Sequence, residues 1–68
     1  MKASELEELG FVYESINKVM CLVTGVGVEI VVWDYDTYVT IYPNEIYALE
    51  LHNVNTIEKV KQLIELLK

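Results

Sequence analysis

Apolar positions follow a helical period at the C-terminal end of the chain. Five of them fall on one stripe, at Ile57, Val60, Leu63, Ile64 and Leu67, with Lys59, Lys61, Gln62 and Glu65 opposite. Thr56 suits the N-cap position, and Glu58 complements the positive end of the helix dipole. The pattern predicts an amphipathic C-terminal helix that begins near residue 57.

The N-terminal residues predict a second, shorter helix. Ser4 and Glu7 have the spacing of a capping box, and Gly10 is suited to the left-handed conformation that ends many helices. We expect a helix at about residues 4–9 that presents Leu6 and Leu9 to the core.

Between the two helices lie five β-like segments, at about 11–14, 18–24, 28–33, 38–42 and 46–52. Residues typical of turns separate them, at Gly25-Val26-Gly27, 34–37 and Pro43-Asn44. Connections this short favour antiparallel pairing of sequential strands. The expected fold class is α+β: a short N-terminal helix, an antiparallel β-meander of about five strands, and a C-terminal amphipathic helix packed on one sheet face. Residues 1–68 form one domain in this interpretation.

Alternation along the strands sorts the side chains between two faces of the sheet. The predicted helix-covered face is apolar and contains Phe11, Val19, Cys21, Val23, Val28, Ile30, Val32, Val39, Ile41, Leu49 and Leu51. The other face mixes apolar, aromatic and acidic side chains, namely Met20, Leu22, Glu29, Val31, Trp33, Tyr38, Thr40, Tyr42, Ala48, Glu50 and His52. A mixed face of this kind, with little chain left to cover it, indicates an interface.

Charge restricts the partners of that interface. The net charge is −6, arginine is absent, and no lysine lies between Val19 and Glu58. Such a chain repels nucleic acid and favours partners with positive charge. The longest uncharged run, 19–28, is too short to span a bilayer, and acidic residues occupy the position of a signal peptide's apolar stretch. We therefore expect a cytoplasmic protein that binds neither nucleic acid nor membrane.

Cysteine content bears on how so small a chain is stabilised. Cys21 is the single cysteine, so no disulfide can form within the monomer, and Cys21 and His52 alone cannot supply a structural zinc site. Small domains also gain stability by self-association. The sequence predicts a homo-oligomer, with a dimer favoured.

The residue types that carry catalysis are sparse. Cys21 and His52 are predicted on opposite sheet faces, so they could not form a catalytic dyad in one molecule. Asp34 and Asp36, with Glu29 or Asn44, could hold a hard cation, but a solvated hairpin turn is the commoner use of this pattern. Gly25-Val26-Gly27 leads into a strand and is predicted to be a turn, not a phosphate loop. We expect no enzyme, no metal and no cofactor.

Three segments of the chain resemble a loose set of small, mostly uncharacterised proteins of bacteria and their phages. They are Glu8-Leu9-Gly10-Phe11, Ile41-Tyr42-Pro43, and Val54-Asn55-Thr56-Ile57-Glu58 followed by Leu63-Ile64. The resemblance implies a short helix, a β-meander, a closing helix and an origin on a mobile element. Small acidic phage products often block host proteins or sequester signal molecules, and no functional residue is transferred by this resemblance.

The leading hypothesis is a non-enzymatic interaction protein, of the kind that phages use as inhibitors against host defence, which binds a positively charged host protein. The predicted partner-binding residues are Trp33, Tyr38, Tyr42, Val31, Leu22, Glu29 and Glu50. One alternative is an oligomer that sequesters a small nucleotide-like ligand, and another is an accessory subunit of a larger assembly. The aromatic face could also form the interface of a homodimer instead of binding another protein.

Overall fold

The computed structural model describes residues 1–33 and 37–68. Its elements are α1 (Ala3–Glu8), β1 (Val12–Glu14), β2 (Val19–Val23), β3 (Glu29–Trp33), β4 (Val39–Tyr42), β5 (Leu49–Leu51) and α2 (Ile57–Leu66). The strands form one antiparallel sheet in the order β1-β2-β3-β4-β5. The α+β meander predicted from the sequence is therefore confirmed. The predicted turn at 34–37 lies largely outside the described residues.

Helix α1 begins earlier than predicted. The capping residue is Lys2, whose backbone N–H donates to Glu5 Oε1 at 3.3 Å. The predicted capping box of Ser4 and Glu7 is therefore wrong, because a start at Ala3 lets Glu5 satisfy a backbone donor instead.

The end of α1 agrees with the prediction from Gly10. Gly10 has a φ of 101°, and its N–H donates to the Glu7 carbonyl at 3.0 Å. The Phe11 N–H donates to the Leu6 carbonyl at 3.1 Å, and both of these side chains belong to the core. This is a Schellman motif with its apolar contact, and it turns the chain from α1 into β1.

The β2–β3 hairpin closes through a three-residue turn at 25–27. The Gly27 N–H donates to the Thr24 carbonyl at 2.9 Å, and Gly27 has a φ of 84°, which glycine adopts without strain. The Thr24 N–H donates to the Val28 carbonyl at 2.9 Å. The predicted hairpin turn is confirmed.

The side chains of β2 face the opposite way from the sequence prediction. Leu22 pairs with Ile30, and Met20 pairs with Val32, so even-numbered positions of the two strands share a face. Met20 is 4% exposed in the core, whereas Val23 is 65% exposed. The turn has an odd number of residues, which makes even positions pair with even positions. The predicted assignment of Val19, Cys21 and Val23 to the helix-covered face is wrong, as is that of Met20 and Leu22 to the other face.

Strand β5 is shorter than predicted. Asn44 Oδ1 accepts hydrogen bonds from the backbone N–H groups of Ile46 at 2.8 Å and Tyr47 at 3.1 Å. These bonds give residues after Pro43 a local turn structure that competes with strand pairing. Pairing with β4 resumes only at Leu49, opposite Ile41.

Helix α2 covers one face of the sheet. Thr56 Oγ1 accepts from the Lys59 N–H at 3.3 Å, which confirms the predicted N-cap. Its fully buried residue is Val60, which joins the buried core of Leu6, Phe11, Met20, Ile30, Val32 and Val39. The remaining predicted helix positions, Ile57, Leu63, Ile64 and Leu67, pack partly buried around that core. The other sheet face is left without a helix.

Candidate functional site: the open face of the sheet

The sheet face opposite α2, which we call the open face, carries rows of side chains that cross the strands. The strand register places Cys21 beside Val31, Val31 beside Thr40, and Thr40 beside Glu50. A second row places Glu14 beside Val19 and Val19 beside Trp33. A third places Glu29 beside Tyr42. Acidic and aromatic side chains thus surround a small apolar centre.

The larger of two concavities on this face, the first concavity, lies over β3, β4 and β5. Its volume is about 630 Å³, and its described lining is Trp33, Tyr38, Thr40, Tyr42, Ala48, Leu49, Glu50 and His52. Three aromatic side chains and one carboxylate therefore meet in one depression.

The Glu50 carboxylate is positioned by two neighbours in the first concavity. The Tyr38 hydroxyl donates to Glu50 Oε2 at 3.2 Å, and His52 Nε2 lies 3.6 Å from Glu50 Oε1. The Tyr38 and His52 rings stack, with centroids 4.0 Å apart and an interplanar angle of 27°. Adjacent strand positions bring these three side chains together, and the contacts restrict the conformations that the carboxylate can adopt.

The smaller, second concavity lies over β1, β2 and β3. Its volume is about 230 Å³, and its described lining is Glu14, Asn17, Val19, Cys21, Glu29, Val31, Trp33 and Tyr42. Glu14 accepts from the backbone N–H of Asn17 at 3.2 Å and from its side-chain Nδ2 at 2.9 Å. Trp33 and Tyr42 line both concavities, so they form the boundary between them.

Most of the predicted partner-binding residues lie on this face, with two corrections. Trp33, Tyr38, Tyr42 and Glu50 line the first concavity, and Glu29 lines the second. Leu22 lies on the helix-covered face, where it packs against the core, so its predicted place on the open face is wrong. Val31 lies on the open face but is 4% exposed, which leaves a partner little of its surface to contact.

Cys21 lies on the open face, so the predicted reason for excluding a Cys21–His52 dyad was wrong. The separation of the two residues excludes it instead, because β3 and β4 lie between their strands. Three strand spacings of about 4.8 Å give roughly 14 Å between β2 and β5. Partial burial raises the pKa of the Cys21 thiol above its ordinary value, and the nearby carboxylates of Glu29 and Glu14 raise it further. A thiol in this state is a poor nucleophile near neutral pH.

Thr40 and His52 were predicted on the mixed face but not as partner-binding residues, and Glu14 and Asn17 were missed. The stack of His52 with Tyr38 depends on cross-strand register. Glu14 and Asn17 belong to β1 and its turn, and the register of β1 and β2 brings them to the second concavity. Thr40 is a buried residue in the lining of the first concavity. The second concavity could be predicted only if Val19 and Cys21 of β2 were assigned to the open face.

Metal-ligating side chains are dispersed over the described part of the chain. Within residues 1–33 and 37–68, no three His, Cys, Asp or Glu side chains come close enough together to hold a metal ion. The predicted turn with Asp34 and Asp36 is outside those residues. Neither α1 nor α2 has the length and apolar character needed to cross a bilayer.

Comparison with known proteins gives no relative. No protein family, curated protein or solved structure matches the chain. The resemblance to small phage-borne proteins therefore stays a prediction, and the open face itself is the guide to function.

Proposed function

We propose that this chain is a non-enzymatic interaction protein whose open face binds a positively charged protein. One observation carries the proposal: two concavities that contain carboxylates meet at Trp33 and Tyr42, and no lysine is among their described lining residues. Aromatic anchors beside acidic side chains suit a partner surface that is rich in cations.

The charge of the chain and the aromatic side chains have different parts in this interaction. A net charge of −6 accelerates the encounter with a basic partner, and this effect weakens as salt screens it. Trp33 and Tyr42 are half-buried, so a partner that covers them removes further apolar surface from water. Encounter is therefore governed mainly by charge, and the lifetime of the complex by the aromatic contacts.

Sequestration of a nucleotide-like ligand has less support. An aromatic-lined depression can stack a nucleobase, but a phosphate next to Glu50, or next to Glu14 and Glu29, would be repelled. The same carboxylates favour a cation. The basic-protein proposal therefore takes precedence over the nucleotide alternative.

Inhibition is the biological role we propose for this binding. A small protein without catalytic machinery changes the activity of another protein by covering its surface. The resemblance to phage-borne proteins points to a basic host protein, such as a nucleic-acid-binding or defence protein, in the cytoplasm. The partner's own phosphate-binding surface is the part that an acidic face would cover.

Self-association is a further part of the proposal, and we place it at the β5 edge and not on the open face. Ile46, Tyr47 and Leu49 are exposed beside or on this edge strand, which offers unpaired backbone groups to a second strand. A twofold contact through the open face would instead bring its carboxylates toward their copies. Sedimentation velocity tests this placement: Tyr47→Lys, which lies outside both concavities, should shift a dimer to monomer, and Trp33→Glu should not.

Charge reversal tests the binding proposal. The wild-type protein, Glu50→Lys and Glu8→Lys are each immobilised, and basic proteins retained from a bacterial lysate are identified and purified. The control Glu8→Lys makes the same change in net charge on the exposed surface of α1. We expect Glu50→Lys to weaken binding of the purified partner at least about tenfold, equivalent to about 1.4 kcal/mol, and Glu8→Lys to change it little. Equal weakening by both variants, or binding unaffected by high salt, would contradict the proposal.

A further inference from the structure

We infer that the first concavity is a receptor for one arginine side chain of the partner. The inference depends on the proposed function and adds to it the chemical group that is recognised. Two features of the concavity point to a guanidinium: flat aromatic walls and a single positioned carboxylate.

The aromatic walls suit a flat cation. Trp33, Tyr38 and Tyr42 line the same depression, and the Tyr38 ring is already stacked on His52. Cations are attracted to the faces of aromatic rings, most strongly to tryptophan, and a planar guanidinium can also stack on them. The volume of about 630 Å³ leaves room for such a side chain.

The carboxylate of Glu50 supplies the directional contact. The Tyr38 hydroxyl donates to Oε2 at 3.2 Å, and His52 Nε2 lies 3.6 Å from Oε1. An ionised carboxylate has about four lone-pair positions, so both oxygens can still accept from a guanidinium. The side chain is already oriented, which lowers the entropy that binding must cost.

The geometry of the contact favours arginine over lysine. Glu50 and His52 are exposed, so either cation stays partly hydrated and hydration alone separates the two only weakly. An ammonium is more strongly hydrated than a guanidinium and cannot make the two parallel hydrogen bonds that a carboxylate accepts from arginine. The second concavity has two carboxylates but no tyrosine other than Tyr42 in its described lining, so it is less suited to stacking.

The experiment uses defined peptides in place of the partner. Three acetylated and amidated glycine hexapeptides are compared, in which one central residue is arginine, lysine or citrulline, the last being an uncharged shape analogue of arginine. Each is titrated into the ¹⁵N-labelled full chain, and Kd is obtained from amide shifts. We expect the arginine peptide to shift residues 33, 38, 42 and 50 together with the Trp33 indole N–H. We expect the lysine and citrulline peptides to bind at least about tenfold more weakly, which corresponds to one charge-assisted contact.

Variants assign the contact to the site. Glu50→Gln keeps the shape of the side chain and removes its charge, and Trp33→Leu removes an aromatic wall. Each substitution should raise the Kd of the arginine peptide about tenfold, whereas Glu8→Gln should leave the Kd unchanged. The amide spectra confirm that each variant is folded. If Trp33→Leu unfolds, Tyr42→Leu replaces it and should weaken binding of the arginine peptide by a similar factor, whereas Tyr42→Phe, which retains the ring, should bind nearly as wild type.

Two results would overturn the inference. One is equal affinity for arginine and lysine peptides, which would indicate a general acidic surface. The other is shifts confined to α1 and α2. The proposed function is tested separately, by binding of the purified basic partner. If Glu50→Lys weakens that binding, the proposed function stands even though the arginine inference has failed. If the wild-type chain retains no basic partner and also binds no arginine peptide, the proposed function is overturned as well.

Discussion

The two faces of the sheet differ in what determines their composition. On the helix-covered face, Ile30 and Val39 are fully buried under α2, and their identity is explained by packing alone. On the open face only the centre is buried, at Val19, Val31 and Thr40, and the aromatic and acidic side chains around it are half-buried or exposed. Trp33, Tyr38 and Tyr42 lie with Glu50 around one concavity. The proposal of a binding role concerns this outer ring of side chains and not the buried centre.

The largest expected difference between the faces comes from an added charge. Val39→Asp places an unpaired carboxylate in the closed core, and we expect a loss of about 4 kcal/mol or more, enough to unfold a domain of this size. Val23→Asp makes the same change at an exposed position of the open face and should cost only about 1 kcal/mol, because the new carboxylate faces Glu29 but stays in water. Circular dichroism and urea unfolding measure both. Similar losses for the two variants would mean that the faces are not distinct.

The strand register can be tested with smaller changes. Met20→Ala removes a buried side chain from the core, and we expect it to lower the free energy of unfolding by about 2–3 kcal/mol. Cys21→Ala truncates the adjacent residue on the open face and should cost less than about 1 kcal/mol. The urea midpoints of the two variants give the comparison. A larger loss for Cys21→Ala than for Met20→Ala would support the face of β2 predicted from sequence, and it would remove Val19 and Cys21 from the second concavity.

The two faces differ because α2 packs on only one of them. The N-cap of α2 stabilises the helix and so contributes to this packing. Thr56→Ala removes the acceptor of the Lys59 N–H, and we expect a loss of about 1 kcal/mol. Asn53→Ala, three residues earlier and exposed, is the matched control and should be close to neutral. Thermal unfolding with a fixed protein concentration distinguishes them. A neutral Thr56→Ala would show that solvent replaces the cap.

The smallest expected effect concerns the thiol of the open face. Its raised pKa lowers the thiolate fraction at any given pH, so alkylation of Cys21 should be slow at neutral pH and should accelerate only well above it. Glu29→Gln removes one of the carboxylates that raise the pKa, so alkylation under mildly alkaline conditions should become a few-fold faster. Glu8→Gln should leave the rate unchanged. Mass spectrometry follows the iodoacetamide reaction, and identical rates for Glu29→Gln and wild type would place Glu29 away from the thiol.

The sequence alone determined the elements and the fold class. The helical stripe from Ile57 to Leu67, the N-cap at Thr56 and the glycines of the β2–β3 turn are local signals, and local signals can be read without knowledge of distant contacts. For the same reason, Trp33, Tyr42, Glu29 and Glu50 could be assigned correctly to one face of the sheet. Val39 to Tyr42 alternates clearly in β4, Glu29 and Trp33 mark one face of β3 at its two ends, and Glu50 lies between two leucines in β5.

Only the tertiary structure decided the face of β2 and the geometry of the site. Val19 to Val23 is apolar at every position, so hydrophobicity cannot distinguish its two faces, and the three-residue turn at 25–27 makes the choice. The stack of Tyr38 on His52 and their contacts with Glu50 likewise depend on the register between β4 and β5. The turn residues can be recognised locally, but which positions of the two strands pair across them is decided by the packing of the whole sheet.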